Sequence, residues 1–236
     1  MSVLSKILPP KFSTIFKIRD FHHYWLIGFM TSTARWLEIM AFSVMAWEAS
    51  GNSETVGWLF AFRMLALALT GLFFSIWGVR FSGVKIMSGV QVLLGLISTV
   101  GLLLTTLFNF NIIILLFVIS IFSGCLWSVD FSFRRRLLGD TLHKDLVGTG
   151  VSLDVLSSHA TRTLGMIFGG LFLSNSYPWL VFIFLGILYL LSTIFYCGKK
   201  DHMLFIGSDH SLLEIVSRVI SNSFTKTPVL IVLVLT

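Results

Sequence analysis

The sequence predicts an all-α integral membrane protein built around a bundle of six membrane-spanning helices. Hydrophobic residues make up 56% of the 236 positions, charged residues make up only 12%, and the mean hydropathy is +0.91. A soluble domain of this size cannot bury so much apolar surface. Several apolar runs approach the roughly 20 residues that a helix needs to cross hydrocarbon. The lysines and arginines cluster in alternate connections between these runs, which indicates a chain that crosses a membrane repeatedly.

The first 23 residues are basic and polar, and we expect them to form an amphipathic cytoplasmic segment. No cleavable signal peptide is expected, because the first apolar run has spanning length and lacks a small-residue cleavage site. The six-helix bundle is expected over residues 24–197. Five of its helices follow directly from apolar runs, at residues 24–47, 56–79, 86–108, 112–129 and 179–197.

A further helix is expected over residues 146–173, although hydropathy alone does not select this segment. Basic residues cluster around Arg135 and again at Lys199 and Lys200, whereas the connections "ASGNSET", "NFN" and "SNSYP" contain none. By the positive-inside rule both clusters are cytoplasmic, so the chain between them crosses the membrane an even number of times. Residues 179–197 supply one crossing, and residues 146–173 must supply the other.

The remaining residues are expected to form a loop and part of another helix. Residues 198–227 are predicted to be a cytoplasmic loop, in which "SLLEIVSRVI" has the apolar spacing of a helix lying at the membrane surface. Residues 228–236, "PVLIVLVLT", are apolar over about half the length needed to span, and we expect them to begin a seventh helix that is cut off.

The polar segment at residues 146–173 carries an ordered stripe along one helical face. Asp154, Ser158, Arg162, Gly165 and Gly169 are separated by four, four, three and four positions, so they fall on one side of a helix. The polar half of the stripe is expected to line a cavity. Its glycine half is expected to let another helix approach closely.

Arg35 and Glu38 lie three residues apart in the first predicted helix and therefore share a face. They are either a mutually satisfied pair that stiffens the bundle or part of a substrate or proton site, because ionisable groups at such depth are functional candidates. Glu38 is the better proton carrier, since a carboxyl group can titrate there and an arginine cannot. Trp36 beside them is a candidate contact for an aromatic substrate.

Four more charges lie within predicted helices or directly at their ends. Arg63 is about two turns into the second helix, and we expect it to snorkel toward the outer surface. Arg162 lies deeper and is expected to pair with an anion, which is Glu38, Asp130 or a substrate carboxylate. Asp130 and Asp154 lie near cytoplasmic helix ends, where solvation explains them adequately and a transport role is the alternative.

Other function classes find little support in the sequence. Arg134, Arg135 and Arg136 are most simply an orientation signal with anionic lipid contacts. The chain has no Walker-type phosphate loop, no folded soluble domain for nucleic acid and no Ser/His/Asp constellation. We therefore expect neither ATP-driven transport nor enzymatic activity, no cofactor or metal, and no nucleic-acid partner.

Several stretches together resemble the major facilitator superfamily of transporters. They are "IFKIRDFHHYWLIG", "RWLEIM", "VGWLFAFRML", "VDFSFRRRLLGDTL" and "RTLGMIFGG", and their order is similar to that in the branch of bacterial exporters with the enterobactin exporter and the transmembrane secretion effector group. The resemblance covers nearly the whole chain. It implies twelve helices in two six-helix halves, with substrate bound between them near the midplane. This chain would be the amino-terminal half.

Two family signatures are present in altered form. The connection after the second helix usually reads G-x-x-x-D-R-x-G-R-R; "SIWGVRFSGVK" keeps Arg80 and Lys85, for which the resemblance implies a gating role, but has Val79 in place of the acid. The fifth-helix signature G-P-x-x-G-G has Met166 in place of the proline. It keeps three glycines, for which the resemblance implies a role in helix packing, namely Gly165, Gly169 and Gly170.

These observations predict a secondary active exporter, in which this chain supplies the amino-terminal half. Proton-coupled antiport of small amphipathic molecules such as drugs or siderophores is expected, in a bacterial inner membrane with the amino terminus cytoplasmic. The expected partners are the substrate, protons, membrane lipids, and either the missing carboxy-terminal half or a second copy. The alternative is a truncated membrane protein that does not transport and binds a partner or lipid.

Overall fold

The computed structural model describes residues 14–77, 83–107, 111–174 and 178–196 of the chain. All of them belong to one compact unit, Met1–Met203. The predicted loop at residues 198–227 and the predicted start of a seventh helix at residues 228–236 lie outside the described residues, as do residues 1–13.

Six helices account for nearly all of the described residues, and no strand occurs among them. Each helix contains most of one predicted segment, which confirms the all-α bundle. The helices are α1 (Arg19–Ser50), α2 (Ser53–Trp77), α3 (Gly83–Leu107), α4 (Ile112–Asp140), α5 (Lys144–Ser174) and α6 (Pro178–Tyr196).

Hydropathy and length identify only part of this bundle as membrane-spanning. Within the described residues, α2, α3 and α4 hold the apolar spans Ser53–Phe74, Gly83–Gly101 and Ile112–Gly139, and α6 holds a shorter apolar helix, Leu180–Tyr196. Helices α1 and α5 have 32 and 31 residues but are diluted by polar side chains. At 1.5 Å per residue each is about 47 Å long, which is enough to cross a bilayer.

Helix α1 is the central element of the bundle. The most extensive contacts join α2 to α4, α1 to α5 and α3 to α6, and α1 also contacts α2, α4 and α6. The outer faces of α2 and α6 are apolar and exposed, as lipid-facing surfaces are. They include Leu65, Leu69 and Leu72 on α2, and Ile183, Ile187 and Leu190 on α6.

The end of α4 differs from the prediction. The apolar run stops at Val129, whereas the helix continues for three further turns to Asp140. Its extension is amphipathic, because Phe133 and Leu138 are buried in the bundle and Arg134 points inward with them. Apolarity marks the spanning part of a helix, and the amphipathic part beyond it is stabilised by packing instead.

Candidate functional site

Buried charges form a network inside the bundle. Six charged residues of the described chain are no more than 5% exposed. They comprise three arginines and three carboxylates, so their charges cancel. A charge away from water is costly unless it is paired and hydrogen-bonded. The six are Arg35 and Glu38 on α1, Arg63 on α2, Asp130 and Arg134 on α4, and Asp154 on α5.

Asp130 is the centre of one part of this network. Arg35 donates from Nη2 to its Oδ2 at 2.7 Å, and Gln91 on α3 donates from Nε2 to its Oδ1 at 3.1 Å. Arg134, one turn along α4, places Nε 3.7 Å from the same Oδ2 and also forms an ion pair with Asp154 on α5. This part therefore connects four helices.

Glu38 is the centre of the other part. Arg63 on α2 donates to its Oε1, and the hydroxyl of Tyr189 on α6 lies 3.4 Å from its Oε2. Two further N–H groups of Arg63, Nε and Nη1, are buried and have no hydrogen-bond partner among the described residues. With Gln91 and Tyr189 included, each of the six helices contributes at least one residue to the network.

Arg35 and Glu38 do not pair with each other, which was one of the two alternatives for them; the other, a substrate or proton site, stays a prediction. They share a face of α1, but Arg35 turns to Asp130 on α4 and Glu38 turns to Arg63 on α2. Arg63 does not snorkel outward either, because it is 2% exposed and its guanidinium lies 5.7 Å from the ring centre of Phe42. A strong opposite charge on a neighbouring helix determines the direction of each side chain.

Solvation near helix ends does not account for Asp130 and Asp154, which are 0% and 3% exposed. Arg134, expected to contact lipid with its neighbours, is buried between these two acids. Arg135 is exposed, with its guanidinium 4.0 Å from the ring centre of Phe131. Gln91 and Tyr189 were not predicted; each is a polar side chain within an apolar helix, and this was the available signal.

Arg162 has neither of the protein partners expected for it. It is exposed, and no carboxylate among the described residues pairs with it, whether Glu38, Asp130 or another. Its guanidinium instead lies 4.1 Å from the ring centre of Trp36. Trp36 meets Trp127 edge to face at 6.4 Å, and Arg35 lies 4.6 Å from the ring of Trp127 on the buried side.

The stripe predicted along α5 is divided by its surroundings. Asp154 is buried against Arg134, and the hydroxyl of half-buried Ser158 donates to the Asp154 carbonyl in its own helix. Helix α1 passes so close to Gly165 that a Cβ there would lie 2.8 Å from both Leu37 N and Thr33 O.

The other expected packing and gating residues are distributed as follows. A Cβ at Gly169 would lie 3.0 Å from the Met40 side chain, whereas one at Gly170 would meet no atom of the described residues within 4 Å. Of the two expected gating residues, Arg80 lies outside the described residues and Lys85 is exposed near the start of α3.

A helix bundle with charge-bearing, membrane-length helices and a polar interior defines a polytopic membrane protein of the transporter class. The family model of the Major Facilitator Superfamily matches residues 24–235, and the chain belongs to this superfamily of membrane transporters. Neither the curated proteins nor the solved structures give a match to the chain.

Proposed function

We propose that the chain forms the amino-terminal six-helix half of a proton-coupled antiporter. This transporter exports small amphipathic molecules, such as drugs or siderophores, by alternating access. Its location is a bacterial inner membrane, with the amino terminus in the cytoplasm. Membership of the superfamily supports a small-molecule substrate, and the finer statements rest on the two features described next.

The observation that carries the proposal is the exposed polar surface in the middle of α5. His159 and Arg162 are both exposed and lie close to the centre of this 31-residue helix. A charged side chain at the bilayer centre is costly and faces protein or water rather than lipid. The corresponding outer faces of α2 and α6 are apolar. This face of α5 therefore suits one wall of a polar path, which a second bundle would complete.

Glu38 is the proposed proton-binding residue. A proton on Glu38 removes the charge opposite one arginine, Arg63, whereas a proton on Asp130 weakens its interactions with both Arg35 and Arg134. Protonation of Glu38 is thus the smaller disturbance. It also frees Arg63, whose unpartnered N–H groups can then bind water or an anion. If Arg63 binds either the Glu38 carboxylate or a substrate anion, but not both, the movements of proton and substrate are coupled.

The test measures proton movement in proteoliposomes. The assembly is purified through a tag on this chain and reconstituted around a pH-sensitive dye, and amphipathic anions, cations and neutral compounds are added in turn. At least one class should move protons in the opposite direction, and Glu38→Gln should abolish this coupling. Glu54→Gln is the matched control, because Glu54 is exposed at the start of α2. Normal coupling in Glu38→Gln would refute the role of Glu38, and no proton movement with any class would refute antiport.

A further inference from the structure

We propose that Arg162 and Trp36 form a binding site for an aromatic amphipathic anion, with Trp127 behind them. The identification of this anion as the transported substrate rests on the proposed function, but its binding does not. Arg162 supplies the charge from α5, Trp36 supplies a ring from α1, and Trp127 supplies a second ring from α4.

The charge balance of the bundle indicates an anion. The six buried charges cancel, so Arg162 adds a positive charge that no described carboxylate balances. It lies near the centre of α5, and the centre of a hydrocarbon core of about 30 Å is about 15 Å from the headgroup regions. An anion that enters the polar path can reach this depth, and a headgroup phosphate cannot.

The geometry of the guanidinium indicates how the anion binds. The Cζ atom of Arg162 lies over the ring of Trp36, 4.1 Å from the ring centre. The N–H groups of a guanidinium lie in its plane, and two of them can bind a carboxylate in the bidentate manner. The other arginine beside these two tryptophan rings, Arg35, is already bound to Asp130. Arg162 is therefore the arginine beside these rings that a ligand can bind.

The surroundings of Arg162 indicate an aromatic body next to the anionic group. Trp36 and Trp127 are both half-buried, and their rings meet edge to face at 6.4 Å. Met166, one turn from Arg162 on α5, is 42% exposed and adds a polarisable apolar surface. Aromatic rings gain from such edge and stacking contacts beyond the area that they bury. An aliphatic anion would gain less from these rings.

Binding of three related probes to the full chain, held as one copy per lipid nanodisc so that the Arg162 face stays open, tests the site by calorimetry. The probes are 2-naphthoate, its neutral counterpart 2-naphthylmethanol, and the non-aromatic anion cyclohexanecarboxylate. Naphthoate should bind about tenfold or more tightly than naphthylmethanol, since a hydrogen bond to a charged group contributes about 1.5–3 kcal/mol. It should also bind more tightly than cyclohexanecarboxylate, because only naphthoate gains from contacts between aromatic rings. Equal affinity for naphthoate and naphthylmethanol would overturn the anion site without any substitution, and equal affinity for the two anions would overturn its aromatic character.

Variants assign the site to its residues. Arg162→Gln should remove the preference for naphthoate over naphthylmethanol, and Trp36→Leu should reduce the preference for naphthoate over cyclohexanecarboxylate. The matched control is Arg135→Gln, which should change neither preference. It removes another exposed arginine that lies over an aromatic ring, at the cytoplasmic end of α4 in the proposed orientation. A naphthoate preference that survives in folded Arg162→Gln would place the anion elsewhere.

The outcome separates this inference from the proposed function. Naphthoate binding that depends on Arg162, without proton-coupled flux of any compound in the purified assembly, would support the site and refute the transporter mechanism. Proton-coupled flux of cations or neutral compounds, without naphthoate binding, would support the transporter and refute the site. If naphthoate does not bind and a carboxylate of a partner protein crosslinks to position 162, a second bundle provides the anion. That result would overturn the proposal.

Discussion

Arg63 shows how one residue inside the membrane depends on a group far away in sequence. Its partner, Glu38, is 25 residues distant on another helix, and both side chains are buried. Two charges removed from water gain about as much from each other as they lose in hydration, so the pair adds little net stability. Either charge left alone, however, is strongly unfavourable. The pair therefore fixes the relative positions of α1 and α2 more than it strengthens the fold.

Replacement of Arg63 with leucine should lower the free energy of unfolding by about 3–5 kcal/mol, because the Glu38 carboxylate remains buried without a counter-charge. The double variant Arg63→Leu/Glu38→Leu should recover most of this loss. Unfolding in mixed micelles titrated with dodecyl sulfate measures both values. Glu54→Gln serves as the control and should stay within about 0.5 kcal/mol of the parent, since Glu54 is exposed. A double variant less stable than either single variant would contradict this account.

The sequence identified many of the charged residues of the site but not their partners. Arg35, Glu38 and Arg162 stand out because charges are rare in membrane helices. Their partners depend on how the helices pack, and the Arg35–Asp130 pair spans 95 positions. Arg134 was missed for a related reason. It sits among three consecutive arginines, and no local pattern indicates that one of them points into the bundle while Arg135 points outward.

Helix α5 was predicted from the positions of lysine and arginine, because hydropathy alone did not identify it. Helices α1 and α5 are absent from the apolar spans, although α1 is central and α5 lies against it. The distribution of lysine and arginine in the connections predicted α5, because it required one more crossing. Its exact partner was not predictable. A glycine stripe indicates close packing, but the identity of the facing helix comes from the three-dimensional arrangement.

Gly165→Ala should destabilise the α1–α5 contact, whereas Gly170→Ala should not. Both substitutions gain about 1 kcal/mol of helix propensity, so the difference between them isolates packing. A methyl group at Gly165 would lie within 3 Å of the α1 backbone, and overpacking of this kind costs about 1–3 kcal/mol. A methyl group at Gly170 meets no described atom within 4 Å. Thermal unfolding of both variants in detergent measures the difference. Equal melting temperatures would show that α1 moves aside at no cost.

Orientation in the membrane is a property of the whole molecule, and the proposed orientation rests on the basic residues near the helix ends. The turn between α4 and α5 follows three consecutive arginines, whereas the connection between α1 and α2 carries no lysine or arginine. By the positive-inside rule, the proposed orientation has the first on the cytoplasmic side and the second outside. The opposite orientation would place every basic cluster of the bundle outside.

Cysteine labelling tests this orientation. In a background lacking Cys125 and Cys197, Ser53→Cys should react with an impermeant maleimide added to intact cells, because Ser53 is exposed at the start of α2. His143→Cys, exposed in the turn between α4 and α5, should react only after the membrane is permeabilised. Permeabilised cells provide the control for reactivity of both positions. Labelling of both cysteines in intact cells would refute the six-helix orientation.

The exposed polar face of α5 leads to the last prediction, which concerns the bundle by itself. Alternating access needs two bundles that move around a shared site near the midplane, and one six-helix bundle offers a single wall. Purified chain should therefore show no substrate flux in proteoliposomes. It should also self-associate through the face that carries Arg162, because an exposed charge at this depth requires water or a protein partner.

Crosslinking and flux measurements on the same sample decide between the possible outcomes. Met166→Cys, on the exposed face of α5, should form a disulfide-linked dimer under oxidation, whereas Ile187→Cys on the outer face of α6 should not. Flux from a sample that crosslinks at position 166 would mean that two copies assemble a symmetric transporter. Flux from a sample that stays monomeric would contradict the requirement for two bundles, because a single wall would then suffice to carry a substrate across.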